Sequence, residues 1–309
     1  MKNKKIATSF SLHPHHLIML VVTFFWAAGH PLGSIILRTV HPFQLAAVNL
    51  VLGFAGLFFY LLVKGKLREL KEFSLGEILH SMVLGVFGFF AYQICTFSAL
   101  KRIPASMNAV LVTTNVIFIV LFAALVFKER LTFFKILGTL AAAAGAVFVV
   151  FNQGFSFSGE FQYSGILFSF GAALSFTVYS LGGKNVLKRK DPVIVVGLAL
   201  FSGMILLVIF SGFTVGFSAL FSASAGIWTM MILLSLGMIG LAYPLWFYCL
   251  KKAKASEIAV FIYLVPVFAG VLSFFILNER FALRFYFGGL LILAGIFTAN
   301  FIGSGKNTG

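Results

Sequence analysis

The dominant pattern along the chain is a series of long apolar stretches separated by short polar segments. Each stretch is about 20 residues long, the length at which a helix crosses a hydrocarbon core of about 30 Å. Backbone N–H and C=O groups must be paired inside the membrane, so stretches of this length predict helices. We predict ten spans, at residues 17–37, 43–63, 78–99, 104–127, 132–151, 163–187, 193–211, 227–250, 256–277 and 283–302.

Composition supports an all-α membrane protein. Apolar residues make up 61% of the 309 residues and charged residues only 10%, whereas soluble domains have about 25% charged residues. The first stretch follows Lys2, Lys4 and Lys5 as in a signal peptide, but it continues to Leu37 and is too long for one. We therefore interpret it as an uncleaved first span. Both cysteines lie inside apolar stretches, so we expect no disulfide framework.

The basic charge carries topological information. The net charge is +15, yet the Lys and Arg residues lie in short loops and form no basic domain surface, so we expect no nucleic-acid partner. When the ten predicted spans alternate across the bilayer, 18 of the 23 Lys and Arg residues fall on one side. Cytoplasmic loops carry the excess of positive charge. The count therefore predicts a multi-pass protein with both termini in the cytoplasm.

A repeat divides the chain into halves. The phrase ALKRIPASMNAV at residues 99–110 returns as CLKKAKASEIAV at 249–260, an offset of 150 positions, and residues 99–145 share 13 identities with 249–295 over 47 ungapped pairs. We predict an N-terminal tail at 1–16, a first five-helix repeat at 17–151, a linker outside the cytoplasm at 152–162, a second repeat at 163–302 and a tail at 303–309.

Five spans per repeat is an odd number, so the two repeats must enter the membrane from opposite sides. Lys101 is then predicted outside the cell and its counterpart Lys251 in the cytoplasm. Inverted repeats of this kind are a recurring transporter architecture, in which related halves enclose one central site.

The chain resembles the drug/metabolite transporter superfamily, and within it the EamA-like ten-helix transporters. The resemblance covers residues 17–302 and rests on these motifs: Trp26, HP at 41–42, the two repeated phrases, Pro266, KER at 128–130, NER at 278–280, and glycines 138, 145, 288 and 295.

The resemblance implies export or exchange of amino acids and other small metabolites across the bacterial cytoplasmic (inner) membrane. It also implies a central cavity lined by helices one, three, four, six, eight and nine. Many members carry an Arg where this chain has Asn49 and a Pro where it has Val116. A carboxylate-binding role for that Arg cannot be carried over.

The first half contributes five substrate-binding candidates. Trp26 and His30 lie at helical spacing with Thr23 and Ser34, a stripe typical of a helix that turns a polar face to a cavity. The others are Tyr92, Asn108 and Asn115. The amides must face inward because an amide exposed to lipid is costly. Alternatives stay open: a neutral His30 satisfied by backbone, and asparagines that bind a neighbouring helix.

The second half contributes Ser175, Tyr179, Tyr243, Trp246 and Tyr263 as substrate-binding candidates. Their amphipathic side chains would form a hydrogen-bonding cage, although Tyr and Trp near span ends also populate the membrane interface.

Three prolines are gating or kink candidates, because a proline inside a helix frees the carbonyl four residues earlier. They are Pro31, Pro244 and Pro266. A purely structural kink is the alternative for each.

The eight acidic residues all lie in loops or at helix ends. An intramembrane carboxylate, the usual proton relay of a pump, is therefore missing, and either His30 carries a proton or transport is facilitated. Glu129 and Glu279 are either gates or helix caps, and capping is the favoured interpretation.

The sequence thus predicts a secondary transporter of small, amphipathic metabolites that works by alternating access, in the direction of export. Alternatives are a membrane-embedded lipid-modifying enzyme and, among transporters, a nucleoside, purine or drug exporter. We expect no catalytic residue, no metal and no cofactor. The expected partners are a small-molecule substrate and the lipid bilayer, with the chain as a monomer.

The predicted orientation can be tested by labelling. Lys101→Cys and Lys251→Cys are introduced singly into a chain lacking Cys95 and Cys249. A membrane-impermeant maleimide should label position 101 in intact cells and position 251 only after permeabilisation. Labelling of both positions from the same side would contradict the inverted arrangement.

Overall fold

The computed structural model describes residues 13–150, 160–278 and 282–302. Most of the predicted tail 1–16, most of the predicted linker 152–162, the predicted tail 303–309 and the residue Glu279 lie outside the described residues. In the described ranges the regular structure is helical throughout.

Ten apolar helices, α1 to α10, follow one another along the described ranges, and nine of them are long enough to cross a membrane. The shorter one is α5, with an apolar stretch at Phe133–Phe148. The bounds are α1 Pro14–Ile36, α2 Pro42–Val63, α3 Leu75–Leu100, α4 105–127, α5 Phe133–Val150, α6 Glu160–Leu187, α7 Pro192–Thr214, α8 Ala225–Lys252, α9 Ala255–Leu277 and α10 Leu283–Phe297, which continues through Thr298–Ile302. The ten predicted stretches are confirmed as apolar helices, with ends that differ by a few residues.

Helix starts recur in the two halves at an offset of 150. Ser74 accepts a hydrogen bond from the N–H of Glu77 at the start of α3, and Ser224 accepts one from Ile227 at the start of α8. Pro42 and Pro192 open α2 and α7, where the missing N–H costs nothing. The caps therefore repeat along with the apolar pattern.

Helix ends repeat too. Lys128 ends α4 and Asn278 ends α9, and these are the positive-φ residues other than glycine in the described ranges, at 53° and 54°. A left-handed residue satisfies the last carbonyls of a helix. The same strained backbone in both copies indicates that the two halves share one local design.

Four of the helices depart from regular α geometry near their middles. Helix α3 has a π-helical segment at Val86–Ala91 and α8 has one at Ser235–Ala242. Helix α4 breaks at Thr114, and α9 has a 3₁₀ segment at Val260–Tyr263. These segments correspond between the halves, in the pairs α3 with α8 and α4 with α9.

The three candidate prolines differ in their surroundings. Pro244 follows the π segment of α8, which contains Gly240, and Pro266 follows the 3₁₀ segment of α9, which contains Ile262. Pro31 lies inside α1, which remains α-helical to Ile36.

Helix α1 passes through the middle of the bundle, where it packs against α4, α8 and α9. At its C-terminal end Lys101 Nζ donates to the carbonyl of Leu37 at 3.0 Å. At its N-terminal end His15 and His16 contact Glu257. The repeated phrases around Lys101 and Glu257 therefore lie at opposite ends of α1.

Helices α5 and α10 pack closely along a contact that is built on glycine. A Cβ added at Gly138 would lie 2.5 Å from the carbonyl oxygen of Gly295 and 2.5 Å from the amide nitrogen of Ala299. Small residues let membrane helices approach this closely, and van der Waals packing is a main source of their association. Gly138 and Gly295, two of the glycines that repeat at an offset of 150, therefore serve as packing surfaces.

Two glycine-to-alanine changes on this helix pair should have opposite effects. Gly138→Ala should destabilise the protein by about 1–3 kcal/mol, because the added methyl overpacks a backbone contact. Gly289→Ala on α10 meets nothing within 4 Å and should stabilise by about 0.4–1 kcal/mol. Thermal melting of both variants in detergent checks the signs. Equal shifts would show that α5 and α10 do not touch at Gly138.

Candidate functional site

A cavity lies in the middle of the bundle, between α1, α3, α4, α6, α8 and α9. Four of the predicted substrate-binding residues line it: Trp26, His30, Tyr92 and Asn115. Its volume is about 20 Å³, which is room for about one water molecule. The site in this structure is therefore contracted around its lining side chains.

Among the polar atoms of the lining, Trp26 Nε1, His30 Nδ1 and Asn115 Oδ1 have no hydrogen-bond partner among the described residues. Buried polar side-chain atoms are paired in the large majority of cases, and an unpaired one costs about 1–3 kcal/mol. Trp26 Nε1 is a donor, Asn115 Oδ1 is an acceptor, and His30 Nδ1 is either, depending on its tautomer. All three belong to residues that line the same cavity. This combination suits a polar ligand group.

An aromatic cluster packs around the lining residue Trp26. The Trp26 ring lies 5.3 Å from Phe176, 5.5 Å from Tyr243 and 5.5 Å from Trp246, measured between ring centroids. Trp246 Nε1 donates to Ser180 Oγ at 3.2 Å. These separations lie in the range at which aromatic pairs attract, so the cluster fixes the orientation of Trp26.

The remaining candidates lie near the cavity without lining it. Tyr179, Tyr243 and Trp246 are fully buried in the aromatic cluster. Tyr263 is buried beside the lining residue Ile262, and Ser175 is half-buried outside the lining. Their role as a cage around substrate stays a prediction.

Asn108 has a partner on another helix. Its Oδ1 accepts a hydrogen bond from Ser169 Oγ at 2.8 Å, which ties α4 to α6. This contact corresponds to the alternative in which an asparagine binds a neighbouring helix.

Three lining residues carried no signal in the sequence. Phe176, Met238 and Val265 supply apolar surface from α6, α8 and α9. Each is one apolar residue within a long apolar stretch, so periodicity does not separate it from residues that face lipid. Thr96 on α3 and Thr113 on α4 are further polar members that are not among the predicted binding residues.

Glu129, in the segment after α4, links helices at one end of the bundle. Its carboxylate accepts hydrogen bonds from Lys184 Nζ at 2.5 Å, Ser256 Oγ at 2.5 Å and the backbone N–H groups of Ala255 and Ser256 at 3.1 and 3.2 Å. The capped N-terminus is that of α9. Glu129 is thus a helix cap, which is the interpretation that the sequence favours. The helix that it caps belongs to the other half of the chain and is not the adjacent α5.

The environment of Glu129 favours its charged form. Burial disfavours the carboxylate, but the hydrogen bonds from Lys184 and Ser256 outweigh burial and hold the pKa of Glu129 below its ordinary value. The side chain is 6% exposed. Glu129 therefore joins the first half to α6 and α9 through charge-assisted hydrogen bonds.

Ten helices in two corresponding halves, around a contracted polar and aromatic cavity, define a polytopic membrane protein of transporter architecture. The sequence model of the EamA-like transporter family matches the chain twice, at residues 14–151 and 163–301. The chain belongs to the EamA-like transporter family, which confirms the resemblance noted from its motifs.

Two proteins similar to this chain over most of their length are named uncharacterized transporters. An uncharacterized transporter of Archaeoglobus fulgidus is 27% identical over 282 residues, which cover 91% of this chain and 96% of the relative. The uncharacterized transporter YvbV of Bacillus subtilis is 26% identical over 285 residues, which cover 92% and 90%. One solved structure superposes with a TM-score of 0.78 at 22% identity, over 96% of this chain and 100% of that chain, and this likeness shows the fold.

The stability contributed by Glu129 should depend on pH. Its pKa is lowered on folding, so the contribution is complete above the unfolded pKa and is lost as pH falls through the folded value. At pH 7 Glu129→Gln should cost about 1.5–3 kcal/mol, the usual contribution of hydrogen bonds to charged groups. The difference in melting temperature from wild type should shrink below about pH 4.

Glu72→Gln is the matched control, since Glu72 is an exposed carboxylate on the same protein. It should melt like wild type at both pH values. A Glu129→Gln protein that melts like wild type at pH 7 would show that the contacts to Lys184 and α9 contribute no stability.

Proposed function

We propose that this chain is a secondary transporter that exports small metabolites, amino acids or related amphipathic solutes, across the cytoplasmic membrane by alternating access between two inverted halves. Family membership supports transport itself. The substrate class, the direction and the mechanism are our proposal.

The observation that carries the proposal is the lining of the central cavity. Trp26 and Phe176 offer aromatic faces to an apolar portion of a solute, while His30 and Asn115 present unpaired polar atoms to its polar portion. Ligand sites in proteins combine a mostly apolar wall with a few placed polar groups. The arrangement therefore suits an amphipathic molecule better than an ion or a lipid chain.

The cavity must expand to hold such a molecule, since small-molecule sites occupy about 300–1,000 Å³. The irregular helix segments lie where this expansion is needed. Tyr92 follows the π segment of α3, Asn115 follows the break in α4, and Met238 lies inside the π segment of α8. Helix irregularities of this kind concentrate at functional sites. We assign to them the bending that opens the cavity.

The contacts of Glu129 supply the closed end in our scheme. They join α9 to the other half on the side that the charge count predicts to be cytoplasmic. Breaking them frees the N-terminus of α9. By the 150-residue repeat, Glu279 and Ala105 are the counterparts of Glu129 and Ala255, and we assign the reciprocal cap to the state that faces the other way.

The proposal is tested by flux into vesicles reconstituted with the purified protein, using a panel of amino acids, nucleosides and organic cations. For the transported class, Asn115→Ala should raise the half-saturating concentration about tenfold, since leaving a buried hydrogen-bonding group unpaired costs about 1–3 kcal/mol. Asn49→Ala is the control, because Asn49 is also fully buried but does not line the cavity.

Two outcomes of the assay are decisive. Saturable flux of none of the three classes would refute the proposed substrate range, and equal losses in the Asn115 and Asn49 variants would refute the site. The same assay on His30→Gln decides coupling: a loss of pH dependence assigns the proton to His30, and an unchanged pH profile indicates facilitated transport.

A further inference from the structure

Three metal-ligating side chains meet at the N-terminal end of α1, away from the central cavity. His15 and His16 lie in the first turn of α1, and Glu257 lies in the first turn of α9. The Nε2 atoms of both imidazoles are 3.0 Å from the same carboxylate oxygen, Glu257 Oε1. The three ligand atoms all lie within 4.8 Å of one another.

We propose that His15, His16 and Glu257 form a binding site for a divalent transition-metal cation of the Zn²⁺ type. Two imidazole nitrogens and one carboxylate oxygen are a ligand set that zinc accepts, with a fourth position left to water. Bond lengths of about 2.0–2.1 Å in a tetrahedron place neighbouring ligand atoms about 3.3 Å apart. The two separations of 3.0 Å to Glu257 must widen slightly to admit the ion, and the two imidazole nitrogens, which lie within 4.8 Å of each other, must settle near the same spacing.

The site combines access with rigidity. Glu257 is 27% exposed and His15 is 14% exposed, so an ion can reach the cluster from the surface, while His16 is 4% exposed and held in place. The His16 ring also stacks on Phe261 at 5.4 Å. A ligand whose ring orientation is fixed by packing loses little freedom on binding a metal.

The charge of Glu257 is essential to this proposal. Imidazole ligands bring no negative charge to offset a divalent cation, and Lys135 Nζ, which donates to the neighbouring Ser256 hydroxyl at 2.8 Å, puts a positive charge nearby. The carboxylate offsets that charge and supplies one ligand. Removing the negative charge while keeping the shape should therefore abolish strong binding.

Binding requires a proton rearrangement. In the metal-free protein the imidazole N–H groups donate to Glu257. A metal ion would replace the hydrogens on these nitrogens, so binding releases or relocates protons. Metal affinity should therefore fall as pH falls. When Nε2 of His16 binds the metal, the imidazole proton moves to Nδ1, which can then no longer accept a hydrogen bond from the His13 N–H. That contact is long, at 3.4 Å, so its loss costs little. The bound ion would tie the first turn of α1 to that of α9.

From the sequence alone we expect no metal. The ligands come from positions 241 and 242 residues apart, and only the packing of α1 against α9 brings them together. Nothing in the local spacing of the His residues indicates the Glu.

The experiment is a Zn²⁺ titration of the full chain in detergent, purified with a tag that contains no histidine and stripped with a chelator. We expect saturable binding of one Zn²⁺ per chain, a rise in melting temperature, and a visible absorption spectrum typical of tetrahedral coordination when Co²⁺ replaces Zn²⁺. Binding does not depend on any transported substrate, so its outcome is independent of the proposed function.

Three variants make the test specific. His15→Gln and Glu257→Gln should each weaken Zn²⁺ binding on the order of tenfold or more, since even partners of the ligands contribute that much. His80→Gln is the matched control, because His80 is exposed on α3 and its Nε2 lies 2.9 Å from the Gly182 carbonyl. It should bind like wild type. His15→Gln changes the more exposed imidazole and keeps the test valid if Glu257→Gln fails to fold.

Absence of saturable binding by wild type would overturn the proposal. So would unchanged affinity in both His15→Gln and Glu257→Gln, because the ion would then be held elsewhere.

Discussion

Hydrocarbon offers no hydrogen bond, and this constraint determines where the polar groups of the chain lie. Backbone groups are paired inside ten helices, and polar side chains bond either to a carbonyl of their own helix, as Thr177 does, or to another helix. Asn108 bonds to Ser169 on α6. Trp26, His30 and Asn115 instead meet in the middle with atoms unpaired among the described residues. A polar hollow at the centre of an apolar bundle is costly, so its presence favours a functional role over a structural one.

The duplication extends beyond apolar periodicity to individual backbone conformations. Lys128 and Asn278 share a left-handed conformation 150 residues apart, and the π segment of α3 has its counterpart in α8. Strained or irregular backbone persists only where surrounding structure supports it. Both halves therefore retain the same backbone conformations at helix ends and beside the cavity. A mechanism with two related states requires this structural similarity between the halves.

The sequence predicted the helices well because the length of an apolar stretch and a proline at its start are local signals. It also placed Trp26 and His30 on the stripe that lines the cavity. It did not indicate Phe176, because the position of one aromatic residue in an apolar helix does not show whether its side chain faces the cavity or lipid. Nor did it find that Glu129 caps α9 or that Glu257 meets His15, because these pairs depend on how helices from distant parts of the chain pack.

A transporter must keep its two closed states close in free energy. In our scheme a charged group such as Glu129, with bonds to Lys184, Ser256 and a helix N-terminus, stabilises one closed end by about the 1.5–3 kcal/mol expected for hydrogen bonds to a charged group. A solute shifts the balance only by its difference in affinity for the two states, and about 5.5 kcal/mol is needed to reverse a ratio of 1:99. An equivalent cap in the opposite state would offset the first. A duplicated Glu at the same position of each half provides that balance in our scheme, so that modest solute affinity is enough to drive the exchange.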